Sequence, residues 1–266
     1  VAQALRPYPQ YQRVNPQTGG GDKTGSSHYH AGILKVNQRT RNVLLQGSYM
    51  YSKLMTDADS FSGSGGSMDQ ARPELEWSIG RFDQTHIVKA SAVVQLPFGE
   101  GQRWLESGLA SRVLGGWRVA AILQYSSGLP IGVTTNAPLN IFNLTNRPNV
   151  TGEDWRAPLA GEEFDPAVDR FLNRAAFVQP VGELGNAPRI NGDVRRFWNQ
   201  TENLSIAKSV RLSQKLSADI RIEAFNLFNR VIWGAPNTDF SSTSFGLITT
   251  QGNAPRQLQL GLKLHW

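Results

Sequence analysis

Residues 256–266 read R-Q-L-Q-L-G-L-K-L-H-W, and this alternation restricts what the whole chain can fold into. Leu258, Leu260, Leu262, Leu264 and Trp266 fall at every second position, with Gln257, Gln259, Gly261, Lys263 and His265 between them. A period of two sends the first set to one face of a β-strand and the second set to the other. At about 3.3 Å per residue, such a stretch has the length that a tilted strand needs to cross a bilayer. One face is wholly apolar, the other is polar or glycine, and an aromatic closes the run. That is the pattern of a transmembrane barrel strand, with lipid outside and water inside. An amphipathic strand of a soluble sandwich reads the same way, so this stretch alone leaves both folds open.

The alternation recurs along the chain. Residues 28–39 and 43–53 form a hairpin through Thr40-Arg41-Asn42, with His30, Gly32, Leu34 and Val36 on one face. In the second strand Leu45, Gly47, Tyr49 and Tyr51 alternate with Gln46, Ser48, Met50 and Ser52, and the tyrosines suit an aromatic girdle at the lipid headgroups. Residues 83–96 form a third strand with Val88, Ala90, Ala92, Val94 and Leu96 on one face. In 117–125 Trp117, Val119, Ala121, Leu123 and Tyr125 share a face. Residues 199–212 and 216–228 make a second tight hairpin through Ser213-Gln214-Lys215. Residues 5–14 are extended, but Pro7 and Pro9 restrict them to an edge or frayed strand. A short helical turn is expected around 104–109 and a short helix near 165–176. Residues 126–196 otherwise carry no strand periodicity and read as one long loop.

The lengths of the connections decide between membrane and soluble folds. In order, 15–27, 40–42, 54–82, 97–116, 126–198, 213–215 and 229–255 run long, short, long, medium, long, short, long. Transmembrane barrels keep long loops outside and short turns at the periplasmic side, whereas a soluble sandwich has no reason for such alternation. Only 97–116 fits poorly, being long for a turn. The absence of any apolar run near 18 residues excludes a helical membrane protein, and a mean hydropathy of −0.35 is compatible with alternating strands. There is no cysteine, which excludes thiol catalysis and a disulfide framework. The net charge of +6 is spread along the chain without a basic block, and the aromatics are not interleaved with basic residues. Nucleic acid is therefore not an expected partner.

Several stretches together resemble the C-terminal part of TonB-dependent outer-membrane receptors, most closely the Oar-like group with a carboxypeptidase-regulatory-like domain. They are Phe197-Trp198-Asn199, Leu204-Ser205-Ile206-Ala207-Lys208, the run E-A-F-N-L-F-N at 223–229, Phe245-Gly246-Leu247-Ile248-Thr249 and 255–260. Tyr29-His30-Ala31, 49–53, Asp83-Gln84-Thr85-His86 and Leu114-Gly115-Gly116-Trp117 extend the match, so the resemblance runs from about residue 26 onwards. It implies an all-β, antiparallel transmembrane β-barrel fragment. About eight strands would form an open, curved sheet, with 1–266 as the C-terminal portion of a larger barrel whose plug and N-terminal domains precede it. It implies a place in the cell outer membrane, in the wall and extracellular loops of an energy-coupled importer of a large solute. The TonB system would act through the N-terminal part, and no enzymatic step or cofactor is implied. A structural or adhesive barrel that binds partners through its loops is the alternative.

The resemblance also assigns residues. Lys35, Lys89, Arg118, Arg221, Glu223 and Lys263 would face the lumen, against a plug or an anionic ligand. Gly261, Leu264 and Trp266 would form the signal read by the barrel-assembly machinery, with Leu264 standing where an aromatic is usual. Other chemistry is weaker. His28 and His30 share a strand face but have no third ligand at a telling spacing. Ser91, His86 and Asp83 lie on one strand, where a catalytic triad is disfavoured. Glu162, Glu163 and Asp165 could bind calcium, but a solvated acidic loop accounts for them.

Overall fold

The computed structural model describes residues 25–58, 68–69, 72–99, 101–136, 146–213 and 216–266. The extended segment 5–14, most of the loop 15–27, the Ser/Gly run at 62–67 and the turn residues Gln214 and Lys215 lie outside the described residues. In chain order the elements are β1 (Ser27–Arg39), β2 (Val43–Thr56), β3 (Ser78–Ile79), β4 (His86–Gln95), α1 (Gly108–Leu114) and β5 (Trp117–Ser126). There follow β6 (Pro130–Ile131), β7 (Asn149–Val150), β8 (Phe177–Val178), β9 (Asn191–Arg195), β10 (Asn199–Arg211), β11 (Ser217–Phe225) and β12 (Gln257–His265).

Seven long strands form one antiparallel meander in the order β1-β2-β4-β5-β10-β11-β12, with β3 added beside β2. The sheet is open. Among the described residues no strand pairs with the outer side of β1 or of β12, and every residue of both is exposed.

The register puts the alternation to work. Ala218, Ile220, Ile222 and Ala224 of β11 stand opposite Leu264, Leu262, Leu260 and Leu258 of β12, so one face is continuously apolar. It continues through Ile206 and Val119, Val94 and Val43, and Val36 and Leu34. Leu260 is 79% exposed in the middle of this face, which suits a wall whose outer solvent is hydrocarbon. Aromatics mark both limits. Trp117 stands at the end with short connections. At the other end His86 is hydrogen-bonded to Tyr49 at 2.9 Å and stacked on Trp198.

The closely packed core lies elsewhere, in a domain built by the segments 127–197 and 230–255 at the long-loop end. Ile131, Val133, Trp155, Phe171, Leu172, Ala176, Phe177, Ala187, Val194, Phe240, Phe245 and Ile248 form one buried cluster. Phe177, Phe240 and Phe245 meet edge-on or tilted, with centroids 5.4–5.9 Å apart, as ring quadrupoles favour. The expectation of one unstructured loop over 126–196 is therefore corrected. The segment holds β6 paired with β9 and β7 paired with β8, and its apolar residues find partners in the loop after β11.

Arginines tie this domain together and to the sheet. Arg174 donates to the carbonyls of Phe240 and Ser242, and Arg170 to those of Phe245 and Thr243. Arg189 donates to Thr56 O and Glu76 O, and Arg195 to Gly128 O and the Asp83 carboxylate. Each guanidinium satisfies loop carbonyls that strand pairing would otherwise serve.

Both helical expectations shift. Near 165–176 only a 3₁₀ turn at Arg174–Ala176 forms, with the Asn173 side chain accepting from Ala175 N. The helix expected at 104–109 forms instead as α1 at Gly108–Leu114, because Trp104 bridges to Phe98 in the preceding turn. The strand expected over 83–96 begins at His86, since Asp83 is used as a loop clamp.

Candidate functional site

The polar face of the sheet is assembled from alternate residues of the same strands. Lys35 stands opposite Ser48, Ser48 opposite Lys89, and Lys89 opposite Gln124. The two lysines thus lie in one row, two strands apart, at about 10 Å between backbones. They line a shallow concavity with Asn37, Gln46 and Ser91. Nearer the short-connection end, Arg118 stands opposite Gln95 and Ala207, Ala207 opposite Arg221, and Arg221 opposite Gly261. All six residues assigned to the lumen therefore share one face.

Acidic groups temper the positive charge there. Arg221 reaches Glu223 at 3.7 Å, an exposed contact of small energetic weight. Asp219 stands opposite Lys263, accepts from Ser209 Oγ at 2.6 Å and meets His265 Nε2 at 3.1 Å. Its place between Ala218 and Ile220 puts Asp219 on the polar face with Arg221 and Glu223. What remains is an excess of cations on the polar face of the sheet, a surface suited to anionic groups.

Of the residues assigned to assembly, Gly261 and Leu264 sit on the edge strand β12 and Trp266 follows it. Gly261 has room, since an added Cβ would meet only Arg221 Cβ at 3.8 Å. Leu264 lies opposite Ala218 on the apolar face, and Trp266 is 94% exposed beyond the strand.

A second feature was not legible in the sequence. In the outer domain an open hollow of about 520 Å³ is lined by Arg156, Glu162, Glu163, Phe164, Phe197 and Trp233, among others. The Arg156 guanidinium lies 3.8 Å over the Phe171 ring, and its Nη2 donates to Arg195 O at 2.6 Å. Burial lowers its pKa from the usual arginine value, and Asp154 opposes that shift. The hollow offers aromatic faces, one fixed cation and two carboxylates. The residues come from three separate segments, which sequence spacing does not bring together.

The weaker chemical candidates separate in space. His86 follows the register of Tyr51 on the apolar face, whereas Ser91 pairs with Gln46 and Ile122 on the polar face. Asp83 is occupied by Leu54 N, Thr85 Oγ1 and Arg195. These three residues form no triad. Asp165 caps its own turn through Ala167 N, apart from the hollow that Glu162 and Glu163 line. His28 lies edge-on to Trp77. Among the described residues no group of three or more His, Cys, Asp or Glu gathers as a metal site, and no helix is long and apolar enough to cross a membrane.

Residues 1–259 match the family described as outer membrane beta barrel domain. No curated protein and no solved structure matches the chain.

Proposed function

The chain belongs to the outer membrane beta barrel domain family, and from that premise we propose that it forms wall and outer loops of an energy-coupled importer of the TonB-dependent, Oar-like type. Its place is the outer membrane, with the apolar face of the sheet against lipid. The observation that carries the proposal is the junction of two surfaces on one wall. A cation-rich polar face bearing Lys35, Lys89, Arg118, Arg221, Glu223 and Lys263 runs up to a packed outer domain with an open aromatic hollow. In this reading the outer domain captures a large solute, the polar face contacts a plug supplied by an N-terminal part, and the TonB system moves that plug. Gly261, Leu264 and Trp266 serve the barrel-assembly machinery. The role involves no catalytic step and no cofactor.

The test uses the full-length protein in cells, with a photo-crosslinking residue at Lys89. The expected product is a crosslink to an N-terminal plug segment of the same chain, diminished when the TonB protein is deleted. Labelling of no segment of its own chain, with solute uptake indifferent to TonB, would leave a structural or adhesive barrel as the better reading.

A further inference from the structure

The connection 97–116 is too long for a turn on the short-connection side, and its fold supplies the reason. It is a compact knot. Leu96 N donates to Trp117 O, Gly99 N to Trp104 O and Trp104 N to Pro97 O, at 2.9–3.1 Å. Helix α1 then returns to the wall, where two side chains hold its last turn. Trp117 Nε1 donates to Val113 O at 3.0 Å, and Lys208 Nζ donates to Arg112 O and Val113 O at 2.9 and 2.5 Å.

The register shows on which side of the wall this happens. Lys208 and Trp117 are cross-strand partners, and they share the alternation of Ile206, Val210, Val119 and Ala121. That is the apolar, lipid-facing side. Helix α1 therefore lies outside the barrel wall and not beneath the lumen. Lys208 is tolerated there because its ammonium meets carbonyls at a helix C-terminus, where the partial charge is negative, and lies 5.0 Å from the Trp117 ring centroid.

The side of α1 turned away from the wall is apolar and bare. Leu109 and Val113, one turn apart, are 80% and 61% exposed, and Leu105, Leu114 and Trp104 beside them are also exposed. Ser111 alone in the helix is buried, with its Oγ donating to Glu106 O. Arg103 and Arg112 flank the stripe.

We infer that α1 is an interfacial membrane helix, whose Leu109–Val113 stripe enters the inner, phospholipid leaflet of the outer membrane. Three observations select lipid as the occupant. The stripe is continuous with the lipid-facing band through Trp117. It sits at the end with short connections, which is the periplasmic end of such barrels. Arg103 and Arg112 beside it can meet anionic headgroups, as basic residues do on helices that lie among them, and Glu100 and Glu106 are the carboxylates of the same connection. The inference rests on the membrane barrel and is independent of any transport role.

The chain has no cysteine, so single labels can be placed on it within the full-length protein in phospholipid bilayers. Nitroxides at L109C and V113C are compared with V181C, on an exposed outer loop, and L262C, on the apolar face of β12. Collision rates with oxygen and with a water-soluble nickel chelate are read by power saturation, and heat-modifiable migration verifies folding of each variant. The oxygen-to-nickel ratio at L109C and V113C is expected to exceed that at V181C several-fold and to approach that at L262C. Nickel access equal to that at V181C would place the stripe in water. Shielding from both reagents would mean that a second copy or another protein covers it. Either result overturns the inference, and V113C alone suffices if L109C does not fold.

Discussion

Arg147 grips both carboxylate oxygens of Glu76, Nη1 to Oε2 at 3.3 Å and Nη2 to Oε1 at 3.4 Å, with 5% and 8% of the two side chains exposed. The residues lie 71 positions apart and join the loop after β2 to the outer domain. Glu76 also accepts from Met68 N, and Arg147 donates to Leu75 O. Burial lowers the Arg147 pKa, and the Glu76 charge offsets only part of that shift.

Removing one partner of this pair leaves the other charged and enclosed. Glu76→Ala is expected to destabilise the outer domain by about 3–5 kcal/mol, the usual consequence of orphaning a buried charge. The double variant E76L/R147M should lose markedly less, because it deletes both charges and keeps volume. Hydrogen exchange at amides of 146–150 and 72–80 measures the loss. Equal losses in the single and double variants would show that packing, and not charge pairing, holds the two loops.

Phe245 is fully buried, with the rings of Phe177 and Phe240 against it. Phe245→Ala should cost the outer domain about 3–5 kcal/mol through lost contacts and a residual cavity. Among the described residues none of the long strands contributes to that cluster. Exchange protection should therefore fall across 127–197 while heat-modifiable migration of the barrel persists. Loss of both would show that the outer domain and the wall unfold together.

This division between wall and outer domain explains what could be read from the chain. The strands announce themselves because Leu258, Leu260, Leu262 and Leu264 follow a local period that needs no knowledge of partners. Register follows, since a one-residue slip would turn each leucine inward. The outer domain has no such local signal. Val133, Trp155, Phe171 and Phe245 are scattered through polar, glycine-rich sequence and meet only when two distant loops combine. Its arginines likewise bond backbone carbonyls, to which sequence gives no address. The hollow beside Arg156 inherits that silence. The polar-face residues were legible because strand alternation alone places them. Their acidic counterweight Asp219 lay on the same face, and its significance came from Ser209 and His265 beside it.

Asp169 supplies a pH dependence. Its carboxylate accepts from Asp165 N and Ala160 N at 2.9 and 2.8 Å, and these backbone donors hold its pKa below the usual value. A group depressed in the folded state stabilises above its unfolded pKa, about 3.9, and loses that contribution as pH falls through the folded value. Protection of the 157–169 loop should therefore decline below about pH 4. In Asp169→Asn this acid-dependent part should vanish, at the cost of weaker protection at neutral pH. Identical acid profiles for the two proteins would assign the decline to other carboxylates.

Gly116 anchors the α1 connection to the wall. Its φ is +75°, an added Cβ would lie 2.7 Å from Ser209 O, and its own carbonyl accepts from Ser209 N. Gly101 has a similar φ of +73° with open space around its missing Cβ. Gly101→Ala should thus cost only the left-handed backbone penalty, about 1–2 kcal/mol. Gly116→Ala adds a backbone collision that separates β5 from β10 at their inner ends, and its loss should be distinctly larger. The urea midpoint of heat-modifiable migration for the two variants checks the order. Equal midpoints would mean that the close approach to Ser209 contributes nothing beyond backbone conformation.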